Sequence, residues 1–170
     1  MTQGQRVGDL EVAQDLTFQR RSWTVQRIGW VAMALVLLAA LAGLTGSGPL
    51  SQATAGAAGD PLRVAYPRFA RHRAPATLQL HLAPGAGREG TVRVWVDAEY
   101  LRGVTVEAVY PEPVRAEAGP GRVTYVFALE QPGQPTTIAF NLLHEAFWWQ
   151  QVAVGLGDRE PVRFRQFIYP

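Results

Sequence analysis

One hundred and seventy residues leave room for one ordinary domain and a membrane element, but not for two full-sized domains. The net charge of +2, with all sixteen cations arginine, gives no footing for a nucleic-acid partner, and the arginine, alanine, glycine and proline bias reads as genome composition. The absence of cysteine excludes disulfides, thiolate catalysis and thiolate metal sites, so an exported domain must hold together by its core alone.

In chain order, residues 1–27 are polar and mixed in charge, and they read as a cytoplasmic tail with a short helix leading into a membrane. The run Ile28 to Leu44 carries no charged or strongly polar side chain. With Thr45 and Gly46 it approaches the roughly 20 residues that span a bilayer core, so residues 28–46 are expected to form a transmembrane helix and to make the bilayer a partner. Arg20, Arg21 and Arg27 precede the run, whereas the first cation after it is Arg63. The positive-inside rule then places the N-terminus in the cytoplasm and everything after the helix outside.

A cleaved export signal is the competing interpretation. "ATA" at 53–55 or "AGA" at 55–57 would serve as the cleavage site, and "QRRSWTVQ" at 19–26 is a partial twin-arginine pattern. The apolar stretch is long for a signal core, and both sites lie nine or more residues beyond Leu44, so a retained anchor is preferred. Residues 47–61, "SGPLSQATAGAAGDP", are small and aperiodic and read as a flexible linker.

From Leu62 onward the hydrophobic period drops to two. "LRVAY", "TLQLHL", "TVRVWVD", "VTVEAVY", "RVTYVFALE", "TTIAFNLL", "FWWQQVAVGL" and "VRFRQFIYP" predict about eight strands. Leu78, Leu80, Leu82, Val92, Val94, Val96, Val104, Val106, Ala108, Phe127, Ile138, Phe140 and Leu142 are among the residues predicted to face inward. Turn-rich segments separate the strands and no helix-length amphipathic stretch intervenes, which excludes βαβ units. Residues 62–170 are therefore expected to form an antiparallel, Ig-like β-sandwich, without the cysteine and tryptophan spacing of an antibody domain.

The juxtamembrane "VQRIGW" at 25–30, "GPLS" at 48–51 and the terminal "QFIYP" at 166–170 give the chain a resemblance. It is similar to a group of small, uncharacterised bacterial single-pass inner-membrane proteins with an exported β domain. The resemblance implies location and architecture, and no activity.

Catalytic and metal chemistry find little support. His72, His81 and His144 show no short ligand spacing, and His144 beside Glu145 would point to the opposite face of a strand. The pairs Asp97 with Glu99 and Asp158 with Glu160 adjoin turns, where carboxylates cap or are solvated. "GAGREG" has no following helix to make it a phosphate loop. No cofactor or metal is expected, and the expected function is non-enzymatic binding or stabilisation of another membrane or envelope protein. A secreted or tethered enzyme or small-ligand binder is the alternative.

Two features stand as the candidate contact surface. "PRFARHRAP" concentrates Arg68, Arg71 and Arg73, expected as a solvated strand edge, with lipid headgroups or an acidic partner as the second reading. "FWWQQ" places Phe147 and Trp149 on one side of a strand and Trp148 on the other. Burial of all three beneath loops is expected, and an exposed one would mark a contact surface.

Overall fold

A computed structural model describes residues 16–41, 51–131 and 133–170, with side chains from Ser22 onward in the first segment. The chain divides into two compact units, Met1–Ala40 and Leu41–Pro170.

The described part of the first unit is helix α1, Leu16–Leu41. Its portion Ser22–Leu41 is long and apolar enough to cross a membrane. The helix starts twelve residues before the predicted Ile28. No proline interrupts Leu16 to Ile28, and the Arg27 guanidinium lies 3.6 Å from the centre of the Trp23 ring one turn earlier, favouring continuation upstream. Residues 42–46 of the expected span, and most of the expected tail, lie outside the described residues.

The second unit contains two packed sheets. The five-stranded sheet is built from β1 (Gln52–Ala55), β2 (Leu62–Pro67), β4 (Pro75–Leu82), β9 (Thr136–His144) and β6 (Val104–Tyr110), in that spatial order. The six-stranded sheet is ordered β3 (Phe69–Arg71), β11 (Val162–Tyr169), β10 (Trp148–Leu156), β5 (Thr91–Asp97), β8 (Arg122–Ala128) and β7 (Arg115–Gly119). A short helix, α2 (Ala98–Arg102), follows β5, with the Asp97 carboxylate accepting from the Glu99 backbone N–H at 2.8 Å. The chain is thus mainly β, with an apolar N-terminal helix and a two-sheet sandwich.

All eight predicted strands form, and their alternation is the cause of the layering. Leu78, Leu80 and Leu82 of one sheet face Val92, Val94 and Val96 of the other, all buried. Aromatic pairs join the layers: Tyr66 stacks on Phe164 at 4.0 Å between centroids, and Tyr125 meets Phe140 edge-on at 5.2 Å. Burial of each such side chain contributes about 1.5 to 3 kcal/mol, the driving force a cysteine-free domain must use.

Four expectations need correction. Residues 47–61 are not all linker, because β1 pairs with β2 from Gln52↔Pro67 to Ala55↔Val64 and Ser51 is buried. Ala53 and Ala55 pack on the core, so side chains too small to show periodicity still complete an edge. The sheets are not wholly antiparallel, since β3 runs parallel to β11 after the chain passes from one sheet to the other. Strands β3 and β7 were not predicted, the first too short and the second too polar to show a pattern. Ala108 faces solvent because the β6 register slips between Val106 and Ala108, and Val109 packs inward instead. An added residue shifts the two-residue period to the other face.

Candidate functional site

The two sequence features chosen as a contact surface lie far apart in the chain and meet at one corner of the six-stranded sheet. Arg68 sits where the chain leaves β2 for β3. Its N–H donates to the Ser51 carbonyl at 2.6 Å, and its carbonyl accepts from the Phe167 N–H at 2.9 Å. The buried Gln166 side chain secures this crossing by donating to the Pro67 carbonyl at 2.9 Å. After β3, the His72 N–H donates to the Tyr169 carbonyl and the Arg73 N–H to the His144 carbonyl. These bonds lock residues 68–73 against the ends of β11 and β9.

The turn from β9 into β10 supplies the aromatics. Glu145 and Ala146 both donate backbone N–H groups to the Gly103 carbonyl. Phe147 then lays its ring on His72, with centroids 4.1 Å apart and planes 24° from parallel. Trp148 adopts a φ of 70°, a conformation that is costly for a bulky residue, by about 1 to 3 kcal/mol. That backbone breaks the expected alternation, so Trp148 and Trp149 both reach Phe167, at 6.1 and 5.1 Å, instead of facing opposite sides. Phe167 in turn meets Phe69 edge-on at 6.5 Å. Strand register lines up Phe69, Phe167 and Trp149 across three strands on the outer face.

Burial of the aromatic triplet beneath loops is overturned. Phe147 is 44% exposed, Trp148 64% and Trp149 63%. The turn from β9 into β10 carries them onto the surface, where Phe147 rests on His72 and both indoles rest against Phe167. Arg68, Arg71 and Arg73 are exposed around the same corner. Arg73 pairs with Glu145 at 3.4 Å, with the arginine side chain 74% and the carboxylate side chain 42% exposed, a solvent-accessible contact that contributes little to stability.

Phe69 and Phe167 were missed as members of this surface. The alternation in "VRFRQFIY" already places Phe167 with Arg163 and Arg165 on one face, but nothing local reveals that β3 docks beside β11.

Other chemical candidates separate. His144 is buried to 1% exposure, and among the described residues neither ring nitrogen has a hydrogen-bond partner. Burial pulls its pKa down to about 4, because the charged imidazolium would lose its hydration. Its neighbour Glu145, in the turn that follows β9, is exposed. His81 bonds Thr137 at 3.1 Å on the other sheet. Among the described residues no group of three or more His, Asp or Glu is placed to hold a metal. A concavity of about 650 Å³ beside β3 is lined by Gln52, Phe69, Arg71, Thr77, Gln79 and Tyr169 among others, with no carboxylate or histidine in its wall.

No family model matches this chain, and no curated protein matches it significantly. Among solved structures, the cohesin module from a Clostridium perfringens ATCC13124 family 33 glycoside hydrolase aligns at 12% identity and a TM-score of 0.43, covering 68% of this chain and 98% of that one.

Proposed function

We propose that this chain is a non-enzymatic protein anchored in a bacterial inner membrane by residues 28–46, with its N-terminus in the cytoplasm. Its extracytoplasmic, Ig-like sandwich binds or stabilises another membrane or envelope protein. The observation that carries this reading is the exposed cluster of Phe147, Trp148 and Trp149, extended by Phe167 and ringed by Arg68, Arg71 and Arg73. Large aromatics and arginine are the residue types that dominate protein recognition surfaces, and holding Trp148 at positive φ keeps one of them outward at a cost in stability.

Retention of the helix is supported by strand β1. A cut after Ala55 would remove that strand and bare the edge of β2. The three arginines before the apolar run and the absence of any cation between Arg27 and Arg63 support the orientation.

The test is photo-crosslinking in native membranes from a benzoylphenylalanine at Phe147, with Thr137 on the other sheet as the control position. A discrete protein adduct at Phe147 and none at Thr137 is expected. Equal adducts at both positions, or a soluble mature chain beginning near Gly56, would overturn the reading.

A further inference from the structure

The two outer faces of the sandwich differ in charge. On the five-stranded sheet the outward charged residues are Arg63 and Glu107, which balance. The six-stranded sheet turns Arg71, Arg93, Arg115, Arg122, Arg163 and Arg165 outward, against Asp97 and Glu117 alone. Glu117 is shared by Arg93 at 3.0 Å and Arg115 at 2.6 Å, and Asp97 is occupied in capping α2. Arg71, Arg163 and Arg165 make no ion pair among the described residues and are exposed. The same face carries Phe69, Phe167 and Trp149 in one row.

We infer that this arginine and aromatic face of the six-stranded sheet rests on the anionic headgroups of the bilayer that anchors the chain. The inference goes beyond partner binding but rests on the membrane-anchored reading. Charge selects an anionic surface, and the mixture of arginine with exposed Trp and Phe is that of side chains placed at a headgroup layer. Proximity selects lipid over a soluble polyanion. Only nine residues, 42–50, separate α1 from the sandwich, and such a segment reaches about 30 Å when fully extended. A bilayer is therefore always at high effective concentration, and a weak electrostatic contact suffices to hold the face down. Docked this way, the corner of Phe147 and Trp148 lies at the headgroup plane, where a membrane partner's juxtamembrane surface passes.

The chain contains no cysteine, so a single introduced thiol reports on one face. The full chain carrying Gln151→Cys, on the arginine face opposite Arg165, or Thr137→Cys, on the neutral face opposite His81 and away from the concavity beside β3, is reconstituted into vesicles. Vesicles are pure phosphatidylcholine or a mixture with phosphatidylglycerol, and labelling by a membrane-impermeant maleimide is timed. Docking predicts that phosphatidylglycerol slows labelling at position 151 by about fivefold or more, the factor that a single cation near an anionic surface supplies. Labelling at position 137 is unchanged. About 1 M salt, where the Debye length falls to about 3 Å, and the Arg163→Gln, Arg165→Gln double variant each restore the fast rate. Equal rates at position 151 in both lipids overturn the docking while leaving the anchor intact. Protection that grows with the protein-to-lipid ratio assigns the face to a second copy and also overturns it. A chain that fails to float with the vesicles after alkaline carbonate refutes the anchor, and the docking with it.

Discussion

His144 offers the sharpest physical test of the core. It occupies the inward end of β9 at 1% exposure, its ring 6.3 Å from that of Tyr100, with both nitrogens unpaired among the described residues. Burial lowers its pKa from 6.5 to about 4. The unfolded chain therefore binds a proton at a pH where the folded chain does not. Stability is unaffected well above pH 6.5, falls as the pH drops through the window between 6.5 and 4, and levels off below 4, where both states are protonated. Each tenfold change in proton affinity is worth about 1.36 kcal/mol, so the full loss is roughly 3 kcal/mol, of which about 2 kcal/mol appears between pH 7 and pH 5.

The assay is urea unfolding of the full chain in neutral detergent micelles, followed by the circular dichroism of the strands, at several pH values from 7.5 to 4.5. His144→Leu keeps the volume approximately and removes the titrating group. Its unfolding midpoint should be nearly flat over the range in which the parent's falls. At pH 7 it should be as stable as the parent or more so, because two unbonded buried nitrogens cost about 1 to 3 kcal/mol and leucine has none. An equal pH slope in both proteins would refute the reasoning. A loss of more than about 2 kcal/mol at pH 7 would show that the imidazole nitrogens are bonded after all.

Other outcomes are as specific. Gly155 lies beneath the Trp95 indole, whose Nε1 donates to the Gly157 carbonyl at 3.0 Å, and an added Cβ would collide with the ring. Gly155→Ala should cost about 1 to 3 kcal/mol and shift indole fluorescence, and an unchanged melting temperature would contradict this packing. Phe140→Ala removes a ring buried between Tyr125 and Phe127 and should cost about 3 to 5 kcal/mol by denaturant titration. Trp149→Ala should change stability by less than about 0.5 kcal/mol while abolishing any partner crosslink from that corner, since most of the indole is in water. Arg73→Ala should move the unfolding midpoint by no more than about 1 kcal/mol equivalent, because its pairing with Glu145 is exposed.

Much of this architecture is legible without coordinates because burial imposes a period. The two-residue alternation in "TLQLHL" and "TVRVWVD" identifies strands and their inward faces, and an uninterrupted apolar run identifies α1. Turn residues mark where those strands stop. Local pattern is silent where the determining contact is remote. Ala53 and Ala55 look like linker until β2 lies beside them, and "FAR" at 69–71 has no strand character of its own. The Ala108 slip and the left-handed backbone at Trp148 likewise arise from the partners of β6 and β10, not from their own composition.

The candidate surface divides along the same line. Residue type alone nominated Arg68, Arg71, Arg73, Phe147, Trp148 and Trp149, since concentrated charge and aromatics are visible in one dimension. Only the tertiary structure decided that they share a corner, that the aromatics are uncovered and that the arginines of β3, β5, β7, β8 and β11 accumulate on one face. The reason is pairing over long separations: β3 is placed beside β11 by hydrogen bonds between residues nearly a hundred positions apart, and side-chain alternation then adds their charges on a single side.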